Sequence, residues 1–278
     1  MKEVSKGSIR SESRFIWRFI LDFLLTPIVL FQVLIGKKRF SELFSPFTNL
    51  FKFIFEAKFT ISIILINIAV FIMSIFFFSE QLFSSLANTP SDILSFKVYT
   101  LLTSGFLHAS ISHLLFNCLA LFIFGRVVER KVGFSKTALV YFGALIISNL
   151  FSSLINLFVV GENTPGIGAS GAIMGLVAAA MLLNPFYLTY EFIIPLPIML
   201  VGWITLLADI AGILRPANDN IGHLAHIGGF ISITLLAFLL NIDDRKSLRT
   251  GLFVNIASFL AFLIISFVFG VDILSLFL

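Results

Sequence analysis

A serine inside a glycine-rich stretch is the first residue of this chain that could do chemistry. Ser170 belongs to a segment that runs straight into an apolar helix, Gly166-Ile167-Gly168-Ala169-Ser170-Gly171. Glycines permit turns that leave backbone N–H groups unpaired, and a helix N-terminus adds partial positive charge. The pattern therefore favours a serine nucleophile beside a site that can hold an oxyanion. Close helix packing through Gly171 and Gly175 is the alternative explanation.

Two histidines at the start of a later apolar segment are candidates for a general base. His223 and His226 lie three residues apart in the stretch Gly222-His223-Leu224-Ala225-His226-Ile227-Gly228-Gly229. A neutral imidazole near the membrane surface can accept the proton of a serine hydroxyl. The two glycines that follow would let this helix approach the one that begins near Ser170. A histidine that only hydrogen-bonds its neighbours at the interface is the alternative, and these residues alone leave both histidines open.

A further histidine and an asparagine share one face of an earlier apolar segment. His113 and Asn117 are four residues apart, so their side chains point the same way on a helix. Together with the serine and a histidine, they complete a nucleophile, a base and a charge stabiliser without an acidic third member. Hydrogen bonds between packed helices are the alternative role. Asp209 and Asp219 fall in a predicted loop beyond the helix ends, and we assign neither to the site.

The four histidines could also be considered as zinc ligands. They are His108, His113, His223 and His226. Neither a cysteine nor a carboxylate accompanies them in the predicted arrangement, and zinc would leave the glycine–serine pattern unexplained. We therefore expect no metal and no cofactor. The single cysteine, Cys118, is expected to act as a small apolar residue.

The elements that must position these residues are membrane helices, because the composition is far from that of a soluble protein. The 278 residues are 58% hydrophobic and 12% charged, with a mean hydropathy of +1.05. The net charge of +4 is local, since the first 58 residues hold ten Lys or Arg against five Asp or Glu. Membrane orientation explains this basicity better than binding to nucleic acid does. We therefore expect no nucleic-acid partner.

Seven apolar segments are predicted to cross the membrane as helices, in an all-α multi-pass fold. Continuous apolarity favours helices over the alternating pattern of barrel strands. The segments are residues 59–78, 111–125, 137–160, 167–183, 192–207, 221–241 and 251–271. An eighth segment, residues 15–35, carries Arg18, Asp22 and Pro27, and is predicted to rest on one membrane face rather than to span it.

The basic residues predict the orientation of these helices. With a cytoplasmic N-terminus, 17 of the 19 Lys and Arg residues fall inside, and only Lys97 and Arg215 fall outside. The helices that start near residues 111, 167 and 221 then run in the same direction. Their polar residues would lie at one depth, at or just below the external surface.

The motifs at these positions resemble those of the rhomboid family of intramembrane serine proteases. The resemblance runs from about residue 59 to 241, roughly two-thirds of the chain, and rests on His-x-x-x-Asn (His113, Asn117), Gly-x-Ser-Gly (Gly168, Ser170, Gly171) and Ala-His-x-x-Gly (Ala225, His226, Gly229). The stretch Leu102-Thr103-Ser104-Gly105-Phe106-Leu107-His108 and the stretch Gly125-Arg126-Val127-Val128-Glu129-Arg130 are also similar to family segments. Tyr99-Thr100 departs from the family's usual Trp-Arg, and Ile233 stands where a glycine is often found.

The resemblance implies a role for each of these residues. Ser170 would be the nucleophile and His226, rather than His223, its general base. His113 and Asn117 would stabilise the oxyanion together with the Ser170 backbone N–H, and His108 would help to organise water. Gly168 and Gly171 would support this geometry.

The resemblance also implies the architecture and the function. The resemblance implies a six-helix catalytic core (59–241), which a loop and a seventh transmembrane helix would follow (242–278). The region before the core (1–58) is predicted to be cytoplasmic from its basic charge. The protein would hydrolyse peptide bonds in or near transmembrane helices of single-pass or multi-pass substrates, in a bilayer that is expected to be the cell membrane, with the site opening to the external side. The alternative is a catalytically inactive relative that binds and escorts transmembrane helices.

Overall fold

A computed structural model describes residues 18–189, 196–215 and 221–268, and most of them are helical. The α-helices are α1 (Thr26–Leu34), α2 (Ser45–Ile54), α3 (Lys58–Phe77), α4 (Glu80–Leu86), α5 (Thr100–Thr103), α6 (Ile111–Ala120), α7 (Arg126–Val132), α8 (Phe134–Ile155), α9 (Ser170–Leu183), α10 (Ile198–Leu214), α11 (His223–Leu236) and α12 (Ile242–Val268). Residues 18–24 are helical as well.

Short irregular elements join and extend these helices. Turns of 3-10 helix are found at Phe40–Phe44, Pro90–Ile93, Ser104–Phe106 and Ala237–Leu239. One π-helical turn, Leu121–Gly125, connects α6 to α7 without a break, and a second, Asn156–Val160, extends α8. Strands β1 (Leu188–Thr189) and β2 (Leu196–Pro197) pair antiparallel before α10.

The predicted all-α multi-pass membrane fold is confirmed. Among the described residues, four helical segments are long and apolar enough to cross a membrane: Lys58–Phe77, Ile111–Val132, Phe134–Val160 and Asp243–Ile264. Three shorter apolar helices are Ser170–Leu183, Ile198–Leu214 and His223–Leu239. Each of the seven predicted segments overlaps one of these helices in the part that the structure describes.

Three predicted boundaries were wrong. The helix predicted to end at residue 125 continues to Val132, because the π turn carries it past Arg126. The segment predicted for residues 192–207 continues to Leu214, so that Asp209 lies inside a helix and not in a loop. The last helix begins at Ile242 rather than at residue 251. In each case a charged residue was taken as a stop. Arg126 and Asp209 are buried and hydrogen-bonded within the protein. Asp243 and Arg249 of α12 are instead exposed on the helix surface.

Helix α9 is the centre of the bundle. Residues 171–181 are all buried, which suits a helix made mainly of glycine, alanine and aliphatic side chains. It packs against α8, α10, α11 and α12. A Cβ atom placed on Gly229 of α11 would lie 2.0 Å from the carbonyl oxygen of Gly171, and one on Gly175 would lie 2.2 Å from Ala144 Cβ. These helices therefore approach one another more closely than any larger side chain would allow.

Helix α12 packs against the opposite end of α9. A Cβ atom on Gly251 would lie 1.8 Å from the carbonyl oxygen of Leu182, so the two backbones are in contact. The Asn255 amide donates to the Met181 carbonyl oxygen at 3.0 Å and accepts from the Trp203 indole N–H at 3.0 Å. This asparagine ties the last helix to both α9 and α10. Helix α12 is thus an integral part of the bundle.

The N-terminus of α3 is capped by an acid from the segment that follows α6. The Glu129 carboxylate accepts hydrogen bonds from the backbone N–H groups of Phe59 and Thr60 at 2.9 and 3.0 Å, and from the Thr60 hydroxyl at 2.9 Å. A carboxylate at this place satisfies first-turn donors that have no partner within the helix. Glu129, in the stretch from Gly125 to Arg130 that is similar to a family segment, therefore has a structural role, to fasten α3 to α7.

Candidate active site

Ser170 is the first residue of α9, and the turn before it depends on a glycine. Gly168 has a φ of +117°, which L side chains rarely adopt. Its N–H donates to the Ser104 carbonyl oxygen at 2.9 Å, which holds the turn in place. No side chain caps this end of α9. The first backbone N–H groups of the helix therefore remain available to a ligand, in the region of partial positive charge.

His113 and Asn117 of α6 lie directly against this turn. A Cβ atom on Gly168 would lie 2.6 Å from His113 Nε2 and 3.7 Å from Asn117 Nδ2, so only glycine fits there. The Ala109 N–H donates to His113 Nδ1 at 3.4 Å, which places the proton of a neutral ring on Nε2, the atom nearest the turn. Asn117 Nδ2 is buried, without a hydrogen-bond partner among the described residues. Two N–H donors thus converge on the turn that leads into Ser170.

His226 lies on the first turn of α11, across from the first turn of α9. A Cβ atom on Gly171, the residue after Ser170, would lie 3.5 Å from the carbonyl oxygen of Ala225, the residue before His226. His226 also lies near enough to His113 for the two to interact electrostatically. The structure therefore brings the starts of α6, α9 and α11 together.

His108 lies in the loop before α6 and is 2% exposed. Its ring centroid is 5.0 Å from that of His113, and its Nδ1 donates to the Phe106 carbonyl oxygen at 3.3 Å. Burial, helped by the nearby His113, lowers the pKa of His108 to about 4. The ring is therefore neutral near pH 7. Its Nε2 is buried without a partner among the described residues, where it can accept a hydrogen bond from water.

The serine hydroxyl and the histidine ring are not hydrogen-bonded to each other. Among the described residues, Ser170 Oγ makes no hydrogen bond, and His226 Nδ1 contacts Asp209 instead. Hydrogen bonds between catalytic groups are often long or absent before substrate binds. The predicted pair is thus brought to facing helix ends, with its direct contact left open.

Asp209 is the residue that the sequence reasoning missed. It lies inside α10, is 5% exposed, and its Oδ1 accepts hydrogen bonds from both His223 Nδ1 and His226 Nδ1 at 2.8 Å. The expectation that this acid belongs to a loop was wrong. A signal was present, since the apolar run continues from Asp209 to Leu214, and an acid inside an apolar helix is a functional candidate. Asp219 lies outside the described residues.

The same three side chains could hold a metal ion. One ligand atom from each of Asp209, His223 and His226 lies within 4.8 Å of the others. The argument that no carboxylate accompanies the histidines was therefore wrong. However, the two oxygen–nitrogen distances of 2.8 Å are those of hydrogen bonds, whereas ligands about 2.0–2.1 Å from a tetrahedral zinc lie roughly 3.3 Å apart. The geometry favours a carboxylate that shares protons with two imidazoles.

Residues outside the helix ends hold the turn before Ser170 from behind. The Asn149 amide of α8 donates to the Leu101 carbonyl oxygen at 2.8 Å and to Ser104 Oγ at 3.1 Å. Ser104 in turn accepts the N–H of Gly168. Asn88 and Gly166 exchange backbone hydrogen bonds of 2.9 and 3.0 Å, as an isolated antiparallel bridge. The turn is therefore anchored at both of its glycines.

The fold and the site define an α-helical, multi-pass membrane protein that gathers a serine, histidines and an asparagine at adjacent helix ends. Comparison with known proteins identifies its family. The model of the Rhomboid domain matches residues 95–242, which is more than half of the chain. The chain belongs to the rhomboid family.

Individual relatives agree with this family. The chain is 28% identical over 183 residues to RHOMBOID-like protein 12, mitochondrial, of Arabidopsis thaliana, covering 61% of this chain and 54% of the relative. It is 33% identical over 144 residues to the rhomboid protease AarA of Providencia stuartii, covering 44% of this chain and 50% of the relative. The chain thus spans about half the length of these curated relatives.

Proposed function

We propose that this protein is an intramembrane serine protease, with Ser170 as the nucleophile and His226 as the general base. The substrates would be membrane proteins, cut in or near a transmembrane helix. The observation that carries the proposal is the position of Gly168. This residue, two before Ser170, lies against the N–H donors of His113 and Asn117, while the residue after Ser170 lies against the helix of His226. A similarity to a named rhomboid protease supports the same reaction.

The proposed first step is acylation of the serine. The Ser170 hydroxyl proton passes to His226 Nε2 as Oγ attacks the scissile carbonyl carbon. The carbonyl oxygen becomes an oxyanion, which His113 Nε2–H, the Asn117 amide and the Ser170 backbone N–H stabilise. The intermediate then collapses, the C–N bond breaks, and the leaving amine takes the proton from His226.

The second step is hydrolysis of the acyl-enzyme. A water molecule gives one proton to His226 as its oxygen attacks the acyl carbon, and collapse returns the proton to Ser170 Oγ. The unpartnered Nε2 of His108 supports a role in holding such a water. The site at the helix ends gives water a route from the membrane surface.

The substrate must expose its backbone before this chemistry can begin. A transmembrane helix hides its peptide groups in hydrogen bonds, so it must unwind locally at the scissile bond. Segments weakened by Gly, Pro or polar residues should therefore be cut preferentially.

We also infer how the chain sits in its membrane. The distribution of Lys and Arg supports a cytoplasmic N-terminus and a site that opens to the external side, in the cell membrane. Residues 1–58 would hold the chain against anionic lipid, with residues 15–35 on the membrane surface. The catalytic core would extend from 59 to 241, and residues 242–278 would add the last helix.

A labelling experiment tests the proposed reaction. Purified wild type in detergent is treated with a serine-directed fluorophosphonate, and its cleavage of a model transmembrane substrate is measured in parallel. We expect Ser170→Ala and His226→Ala to lose both labelling and cleavage. Ser85→Ala, which alters an exposed serine of α4 whose hydroxyl only bonds its own helix, is the matched control. It should keep both.

The alternative function predicts a different result. An inactive relative that binds and escorts transmembrane helices would neither be labelled nor cleave any of several destabilised helices. It would still bind such helices when they are presented in detergent or vesicles. That outcome would overturn the protease and leave the helix-binding function in its place.

A further inference from the structure

We propose that Asp209 is a positioning residue for the proposed protease, which holds His226 in the tautomer and orientation that a general base requires. The inference rests on the proposed function and adds a third member to its serine–histidine pair. It concerns one contact between α10 and α11, the bond from His226 Nδ1 to Asp209 Oδ1 at 2.8 Å.

The contact determines which ring nitrogen carries the proton. A carboxylate oxygen can only accept, so Nδ1 of His226 must be the N–H donor. In a neutral ring the lone pair then lies on Nε2, the nitrogen on the opposite side of the ring from Asp209. This is the tautomer in which Nε2 can accept the serine proton. A ring without this bond would divide its population between two tautomers, of which only one could act.

A second histidine fixes the carboxylate itself. His223 Nδ1 donates to the same Oδ1 at 2.8 Å, from a position one turn before His226 on α11. The His223 ring lies over Gly212, where a Cβ atom would come within 2.2 Å of its Nε2. Gly212 is three residues after Asp209, so both lie on the same face of α10. This face of the helix is therefore shaped to receive both rings.

Burial means that the Asp209 carboxylate needs hydrogen-bond donors. Asp209 is 5% exposed, and an ionised carboxylate in such a place is costly unless it is hydrogen-bonded. The two imidazole N–H groups supply those bonds. When His226 takes the serine proton and becomes positively charged, the adjacent carboxylate stabilises it. A bulk structural role would not need one carboxylate oxygen to accept from both rings.

The first test is the tautomer of His226 in the wild-type protein. Selective 15N-histidine labelling, with the four resonance pairs assigned by single histidine substitutions, reports which nitrogen carries the proton. We expect a protonated Nδ1 and an unprotonated Nε2 for His226, and a mixture of tautomers in Asp209→Asn. A wild-type ring protonated on Nε2 would overturn the proposal, and this measurement does not depend on catalytic activity.

The second test separates positioning from folding. Asp209→Asn has nearly the same shape as wild type, and the matched control is Thr205→Val, one turn earlier on α10, where the hydroxyl bonds only to its own helix. The fluorophosphonate reagent, added to completion, counts the folded sites that can react. We expect kcat per reactive site to fall at least about 10²-fold in Asp209→Asn, since loss of the orienting carboxylate in trypsin costs about 10⁴-fold. KM should stay within about threefold, and Thr205→Val should match wild type.

Each remaining outcome has a distinct meaning. If wild type cleaves and Asp209→Asn keeps its kcat, the positioning role fails while the protease stands. If wild type is neither labelled nor able to cleave, the proposed function fails. The tautomer measurement then still tests the hydrogen bond between His226 and Asp209. If added Zn²⁺ inhibits wild type but not Asp209→Asn, and that variant keeps full kcat in chelator, the carboxylate is a metal ligand and the positioning role is overturned.

Discussion

Two unpartnered polar atoms lie at the proposed active site. Asn117 Nδ2 and His108 Nε2 are both buried without a hydrogen-bond partner among the described residues. Buried polar groups are usually hydrogen-bonded, so the unpaired Asn117 N–H donor beside the turn at Gly168 suggests that a ligand pairs with it. A developing oxyanion would give Asn117 its partner, and a water would give His108 one.

Removing the Asn117 amide donor should slow catalysis without reducing the number of sites that react with the fluorophosphonate. We expect Asn117→Ala to lower kcat by about 10²–10³-fold, because one hydrogen bond to the oxyanion is lost. The number of fluorophosphonate-reactive sites at completion should not change. Cys118→Ala, at the next position of α6, is the control and should keep its kcat. An unchanged kcat in Asn117→Ala would remove this residue from the proposed oxyanion site.

The buried His108 makes stability depend on pH. Its pKa falls from 6.5 in the unfolded chain to about 4 in the folded protein, so the unfolded state binds more protons between these values. Stability is therefore lost as the pH drops through that window. His108→Asn keeps an amide donor for the Phe106 carbonyl but cannot titrate. We expect its Tm to fall less than that of wild type between about pH 7 and about pH 5. Equal losses would show that His108 does not contribute.

At the scale of elements, glycines set the distance between the helices that carry the site. Gly229 of α11 allows contact with the carbonyl oxygen of Gly171, and Gly175 accepts Ala144 of α8. Because lipid offers no hydrophobic drive for helices to associate, this close backbone packing is a main source of their affinity. Ile233 departs from the glycine often found in the family, yet it is buried in the core and packs there. The crossing of α9 and α11 therefore depends on Gly171 and Gly229, the two glycines nearest the site.

A methyl group at this crossing should be poorly tolerated. In Gly229→Ala the added Cβ would lie 2.0 Å from a backbone oxygen, which no rotamer can relieve. We expect a loss of about 1–3 kcal/mol or more, seen as a lower Tm in detergent. In the control Gly222→Ala, at the start of the same helix, the new Cβ would meet only the Ala225 methyl at 3.7 Å. Similar Tm values for the two variants would contradict the close crossing.

At the scale of the whole molecule, the bundle is organised around a buried helix with an apolar exterior. Helix α9 is enclosed by its neighbours, whereas large apolar side chains of the outer helices are exposed, among them Phe76, Phe116, Phe158, Leu235 and Phe253. In water such a surface would be unstable, and in a bilayer it contacts lipid. The polar site is confined to one end of the bundle, where the three helices begin.

The proposed orientation can be measured on whole cells. In a Cys118→Ser background, which has no other cysteine, single cysteines are placed at the exposed positions Thr48 and Glu162. An impermeant maleimide should label Glu162→Cys on intact cells and Thr48→Cys only after permeabilisation, because basic segments stay in the cytoplasm. The reverse pattern would place the site on the cytoplasmic side.

Much of the fold could be predicted from the sequence because the bilayer imposes simple rules. Long apolar runs without alternation must be helices, and each predicted run overlaps a helix among the described residues. The helix starts near residues 111, 170 and 223 were also predictable, since glycines and polar residues stand directly before apolar runs. Boundaries failed where charges lay inside helices, at Arg126, Asp209 and Asp243.

The sequence by itself determined that this chain is an all-α membrane protein and which serine, histidines and asparagine could meet at one depth, because apolar length and helical spacing are local properties. Only the tertiary structure decided that the turn at Gly168 lies against His113 and that Asp209 reaches both His223 and His226. These contacts depend on how far each helix is rotated about its own axis and how closely it approaches its neighbours. Packing between segments distant in the chain sets both quantities, and no local pattern records them.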